Sequence, residues 1–198
     1  MYNNQMLKIE QSYILKKYEK TLTTKEYFER FVFYDETLES CKKCEMYGKN
    51  WSCPPFEYNP SSYWKKYQNI HLIFMQLHYD KFITEDTHSP EDIDTILHLT
   101  LFNEKTKMLQ SIRKRIRENE NPIDCKILST GYCNICPSCS KNEGKPCRYP
   151  KNRLNSIESI GALVTKTVEE VFDKEIMWID MQKGKIPEYL SLLMGVLY

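Results

Sequence analysis

Apolar and polar positions follow two rhythms along this 198-residue chain, and each rhythm predicts a kind of element. IHLIFMQLHY, residues 70–79, is a nearly unbroken apolar run, the pattern of a strand covered on both faces. IMWIDM (176–181) and LSLLMGVLY (190–198) predict two further strands, joined through Lys183, Gly184, Lys185 and Pro187. YFERFVFY (27–34) is aromatic and β-branched and also predicts a strand. IDCKILS (123–129) sets Ile123, Cys125 and Ile127 against Asp124 and Lys126, a half-buried strand.

Helical spacing governs most of the rest. Met6, Ile9, Tyr13, Ile14 and Tyr18 predict a weakly amphipathic helix over 6–20, and SSYWKKY (61–67) a short one. The clearest helix lies within 88–119. Ser89 suits its N-cap, Pro90 its first position, and Glu91 and Asp92 the positive end of its dipole. Ile93, Leu97, Leu101, Met108, Ile112 and Ile116 then form one stripe. SIESIGALVTKTVEEVF (156–172) predicts a helix capped by Ser156, with Ile157, Ile160, Val164 and Val168 on one face. The order is mixed rather than strictly βαβα. It points to an α+β or mixed α/β class: a central mixed sheet flanked by helices, with two cysteine-rich loops, in a single domain over 1–198.

Composition narrows the function classes. Charged residues make up 28 % of the chain with a net charge of only +1, so no global field favours nucleic acid or anionic lipid. The apolar runs fall short of the ~18 residues of a spanning helix. The N-terminal segment scatters charges through its apolar residues, unlike a signal peptide. The expectation is a cytoplasmic protein whose thiols stay reduced. Eight cysteines in that setting weigh against a disulfide framework and toward metal ligation.

The cysteines fall into two groups. CKKCEMYGKNWSCPP holds Cys41, Cys44 and Cys53, and CNICPSCSKNEGKPCRYP holds Cys133, Cys136, Cys139 and Cys147. A C-x2-C step lets one turn aim two sulfurs at one metal. Structural zinc is usually built from two separate such pairs. A C-x2-C-x2-C run with a fourth cysteine elsewhere suits an iron–sulfur cubane. Cys133, Cys136 and Cys139 match that run, and Cys147 can close it. A [4Fe–4S] cluster is therefore favoured here, with Zn2+ the alternative. The first group offers three thiolates: a cluster with one open iron, a zinc with a water ligand, or a set completed from the other group.

Cys125, on the apolar side of a predicted strand, is read as a core residue. Lys42, Lys43, Lys49, Lys141, Lys145, Arg148, Lys151 and Arg153 surround the groups; they would offset thiolate charge, dock an acidic redox partner or anionic substrate, or merely solvate the loops. RKRIR (113–117) suits the end of a helix and needs no functional reading. His71, His78, His88 and His98 show no ligand spacing, and no nucleotide or hydrolase motif is present. Tyr47, Trp51 and Tyr58 are expected as an apolar shell over the metal rather than a stacking surface for nucleic acid.

The segments C-x2-C-x2-Y-G-x2-W-x-C-P-P (Cys41 to Pro55) and G-x-C-x2-C-x2-C…P-C-R-x-P…S-x-E-x-x-G (Gly131 to Gly161) resemble the predicted metal-binding protein family, domain of unknown function 2284. The resemblance implies a cysteine-bound metal or iron–sulfur site in a cytoplasmic protein and carries no known reaction. It extends to Cys41, Cys44, Cys53, Cys133, Cys136, Cys139 and Cys147, but not to Cys125. Gly48, Trp51, Pro54, Pro55, Arg148, Pro150, Ser156, Glu158 and Gly161 also match and would shape the site. One or two [4Fe–4S] clusters, or Zn2+ instead, are the expected cofactors. A redox partner protein or a small-molecule substrate is the expected partner, with neither nucleic acid nor membrane.

Overall fold

A computed structural model describes residues 8–119 and 124–198. The fold is α+β, with a five-stranded mixed sheet in the order β1-β2-β5-β3-β4. The strands are β1 (Tyr13–Thr23), β2 (Asn69–Tyr79), β3 (Lys126–Ser129), β4 (Asn155–Ser156) and β5 (Tyr189–Leu197). Backbone bonds at the strand ends, Thr24 to Gln68 and Asp80 to Ser12, set β1 antiparallel to β2. Asn69 with Tyr198, and Tyr79 with Glu188, set β2 antiparallel to β5 in the same way. β3 runs antiparallel to β5, with Leu128 opposite Gly195, and parallel to β4, with Ser129 opposite Ser156. The unbroken apolar run of β2 is explained by its interior place in this order: six consecutive residues, Leu72 to Leu77, are buried.

Contacts divide the chain into two compact units. Of the described residues, the first comprises 8–18, 74–119 and 174–192. Its main helix pair is α5 (Pro90–Leu97) and α6 (Asn103–Arg117), joined by a π-helical segment at His98–Phe102 after a short helix α4 (Lys81–Thr84). Ser89 caps α5 as expected: its side chain accepts from the Asp92 N–H, and the Asp92 carboxylate accepts in return from the Ser89 N–H. The π segment shifts the phase of the stripe. Ile93, Ile96, Thr100, Met108, Leu109 and Ile112 are buried, whereas Leu97 and Leu101 are only half-buried.

Of the described residues, the second unit comprises 19–73, 124–173 and 193–198. Helices α1 (Thr24–Phe31), α2 (Tyr34–Lys42), α3 (Ser62–Lys66) and α7 (Val164–Phe172) belong to it. Tyr27, Phe31 and Trp64 centre its core, with the Tyr27 ring 5.1 Å from Phe31 and stacked 5.2 Å from Trp64. The Trp64 indole donates to the Ile160 carbonyl at 3.0 Å, and the Tyr27 hydroxyl meets Thr167 at 2.9 Å.

Four sequence expectations are corrected. Residues 27–34 are not a strand: α1 ends at Phe31 and α2 begins at Tyr34. Tyr27 and Phe31, four residues apart, are both fully buried on one helical face, and Thr23 caps that helix through the Glu26 N–H. Tertiary burial thus overrides the strand preference of aromatic residues. The expected helix over 6–20 is instead β1 from Tyr13, where Ile14 and Leu15 stay exposed; Met6 lies outside the described residues. Residues 176–181 form no strand, and Trp178 and Met181 face solvent.

The helix expected over 156–172 begins only at Val164. Ser156 belongs to β4, and its Oγ caps a 3-10 turn at Glu158–Ile160 by accepting from the Ser159 N–H. Gly161 then adopts φ of 102° and ends the turn; a Cβ there would sit 3.0–3.2 Å from Tyr34. The strand expected at 123–129 is observed as β3 from Lys126, and Ile123 lies outside the described residues.

Candidate metal centre

All seven motif cysteines and Cys125 lie in the second unit. Cys41 rides the last turn of α2, and the chain then folds as tight turns: Cys44 N–H to Cys41 O, Tyr47 N–H to Cys44 O, and Cys53 N–H to Asn50 O, each 3.0 Å. The 131–150 loop is folded by its own bonds. Ser140 Oγ donates to Pro146 O at 2.7 Å, and the Arg148 guanidinium donates to Ser138 O at 2.7 Å.

Two buried polar residues pin the loops together. Asn50 is 3 % exposed and donates from Nδ2 to Cys133 O at 3.0 Å. Its Oδ1 accepts from both the N–H and the Oγ of fully buried Ser52. Ser52 Oγ in turn accepts from the Cys133 N–H at 2.9 Å. Cys133 is thus gripped through both backbone groups. Asn155 of β4 donates to Ser52 O at 3.2 Å, tying the pin to the sheet. Each buried bond keeps a polar group from being stranded, at about 1–3 kcal/mol per orphaned group.

Trp51 links the loops a second time. Its N–H donates to the sulfur of Cys139 at 3.4 Å, its indole donates to Lys145 O at 2.9 Å, and the Lys141 ammonium lies 5.2 Å from its ring.

The thiols sort into neighbourhoods that cut across the sequence groups. Burial pushes the Cys41 thiol up to about 11, and Glu158, Cys53 and Cys44 add to this. Cys53 is raised by burial, with Cys44 and Cys139 adding, against Ser52 and Lys141. Cys139 therefore neighbours Cys53 across the two loops, rather than only its own run. Cys133 and Cys147 instead share the Lys126 ammonium as a neighbour. Cys125 is raised by burial and then by Asp124, and it joins neither neighbourhood. Among the described residues no three His, Cys, Asp or Glu side chains stand close enough to hold one ion together. The donor chemistry suits a thiolate-bound metal, whereas the sulfurs are not drawn into a coordination sphere.

A family model described as predicted metal-binding protein (DUF2284) matches residues 27–195. The chain belongs to that family. Seven of its eight cysteines stand on two mutually pinned loops within the stretch that the DUF2284 model covers. No curated protein and no solved structure matches the chain.

Four of the cations that crowd the motif are engaged locally. Lys145 and Arg148 pair with Glu143, Lys42 with Glu39, and Lys141 donates to the carbonyls of Asn50 and Pro55. The sequence reading missed Asn50, Ser52 and Asn155 as the pins. A buried asparagine or serine is written with the same letter as a solvated one, and only the position of Asn50 and Ser52 between motif cysteines could have flagged them.

Proposed function

We propose that this is a cytoplasmic thiolate metal protein whose two cysteine loops act as one apparatus, holding an iron–sulfur centre of [4Fe–4S] type for electron transfer or redox chemistry. The observation that carries this reading is the double grip on Cys133 by Asn50 and Ser52, with the Trp51 N–H on Cys139. These bonds bring cysteine groups far apart in sequence onto one polar framework. Cys133, Cys136, Cys139 and Cys147 would ligate one cluster, and Cys41, Cys44 and Cys53 a second centre. Metal binding would draw the sulfurs inward on loops whose backbones are already held. A three-thiolate set leaves a coordination position open, which would let the first group act on a small-molecule substrate, whereas a closed set would serve a redox partner protein.

One observation favours a second reading. Cys53 of the first loop feels both Cys44 of its own loop and Cys139 of the other, and thiolates drawn from two separate loops are the usual donor set of structural zinc. On that reading the protein is an interaction module without redox activity. Strictly anaerobic purification with iron, zinc and acid-labile sulfide analysis separates the two. Iron and sulfide with broad visible absorption support the cluster; a colourless zinc protein overturns it.

A further inference from the structure

Beside the second cysteine loop lies a cluster of polar and aromatic residues outside the thiols themselves: Lys126 of β3, Arg153 just before β4, and Tyr58 and Tyr63 around α3. All four are half-buried. The Lys126 ammonium donates to the Arg153 carbonyl and stands 5.7 Å from the Tyr63 ring. The Arg153 guanidinium stands 5.4 Å from the Tyr58 ring, and the two tyrosine rings meet edge to face at 5.9 Å. Asn155 donates to the Tyr58 hydroxyl at 3.2 Å.

Two half-buried cations so close together need an anion. Among the described residues no carboxylate forms an ion pair with either, and the neighbouring Asp124 is paired with Lys66 at 2.7 Å. Arg153 Nε is buried and makes no hydrogen bond among the described residues. A buried guanidinium N–H left dry is costly, so such a group implies a missing acceptor. Burial lowers the Lys126 ammonium, Arg153 lowers it further, and Tyr63, Cys133 and Cys147 partly offset this. Burial pushes the Tyr63 hydroxyl up, yet Lys126, Arg153 and Tyr58 bring it below its ordinary value. The lowered Tyr63 hydroxyl marks a locally positive environment.

We propose that Lys126, Arg153, Tyr58 and Tyr63 form a binding site for the phosphate or carboxylate group of a small molecule, beside Cys133 and Cys147. The arginine fork takes one edge of the oxyanion and the lysine ammonium takes a further oxygen. The phenol rings wall the site and contribute a hydroxyl donor. Its position would present the rest of the bound molecule to the second cysteine loop. The site stands on its own residues and does not require that the metal be iron or zinc.

Calorimetric titration of the anaerobically purified full chain with inorganic phosphate, against chloride at matched ionic strength, tests it. Saturable binding at about 1 mM or tighter is expected. Arg153→Met and Lys126→Met should each weaken it by about tenfold, the loss of one charge-assisted contact. Tyr63→Phe, which keeps the ring and the packing, should weaken it a few-fold. Lys151→Met, an exposed cation on the same stretch, should leave it unchanged. Metal content and circular dichroism are read on the same samples.

Absence of saturable phosphate binding overturns the proposal. So does wild-type affinity in folded Lys126→Met and Tyr63→Phe, even if Arg153→Met fails to fold. Retained phosphate binding with lost metal in the cation variants overturns it as well, because the cations would then serve only as countercharge for thiolates. A protein that binds phosphate but no metal would instead defeat the metal reading and leave this site standing.

Discussion

The β2 end of the first unit and the cysteine-loop pair of the second are both ordered, by opposite means. In the first, Phe74, Leu77 and Tyr79 are buried among apolar neighbours, and the few polar contacts, such as Tyr79 to Thr100 at 2.8 Å, decorate a core that already exists. In the second, polar Asn50, Ser52 and Ser140 are buried, and order comes from their hydrogen bonds. Apolar burial is non-directional and its loss is felt as lost stability, whereas a buried polar pin fails as a unit when one member is lost. The difference assigns the apolar core to folding and the pinned loops to presenting thiols.

The largest effect expected from breaking this contrast is on the core. Phe74→Ala should cost about 3–5 kcal/mol in denaturant unfolding, with metal content unchanged in the folded fraction. Asn50→Ala should cost about 3 kcal/mol, since it strands the Ser52 donors and Cys133 O together. Unlike Phe74→Ala, it should also lower bound metal, read by elemental analysis. If Asn50→Ala keeps full metal, the pin is not what holds the loops.

Alkaline unfolding sharpens the same contrast. Burial raises the Tyr79 hydroxyl to about 12, with the Thr100 bond acting against it. Between about pH 10 and 12 the unfolded chain has lost the Tyr79 proton and the folded chain keeps it, so stability falls as pH rises through that window. The share from Tyr79 is roughly 2–3 kcal/mol. Tyr79→Phe should remove that share of the decline in pH-dependent denaturation, and an unchanged decline would contradict the assignment. The smallest effect is expected at Cys125→Ser, half-buried and outside both thiol neighbourhoods: within about 1 kcal/mol and with no loss of metal.

Much of the fold could be read from the sequence where one signal dominated. β2 and β5 announced themselves by continuous apolar runs, and α5 by a full set of capping residues. Residues 27–34 misled because Tyr and Phe favour strands until a helix places two of them in one core. IMWIDM read as a strand from composition alone, yet nothing covers Trp178, which is 73 % exposed. At the site the cysteine spacing was plain. The crossing of Cys139 toward the first group, the Asn50–Ser52 pin and the meeting of Lys126 with Arg153 were not. Each depends on contacts between residues that the chain separates widely.

Metal content of Cys53→Ser, Cys139→Ser and Cys125→Ser beside the wild type, all purified anaerobically and measured per folded chain, tests the central claim most directly. If the two loops form one thiolate apparatus, Cys53→Ser and Cys139→Ser each lose metal although they lie on different loops, and Cys125→Ser retains it. Full metal in both loop variants, or loss confined to Cys125→Ser, would contradict the account.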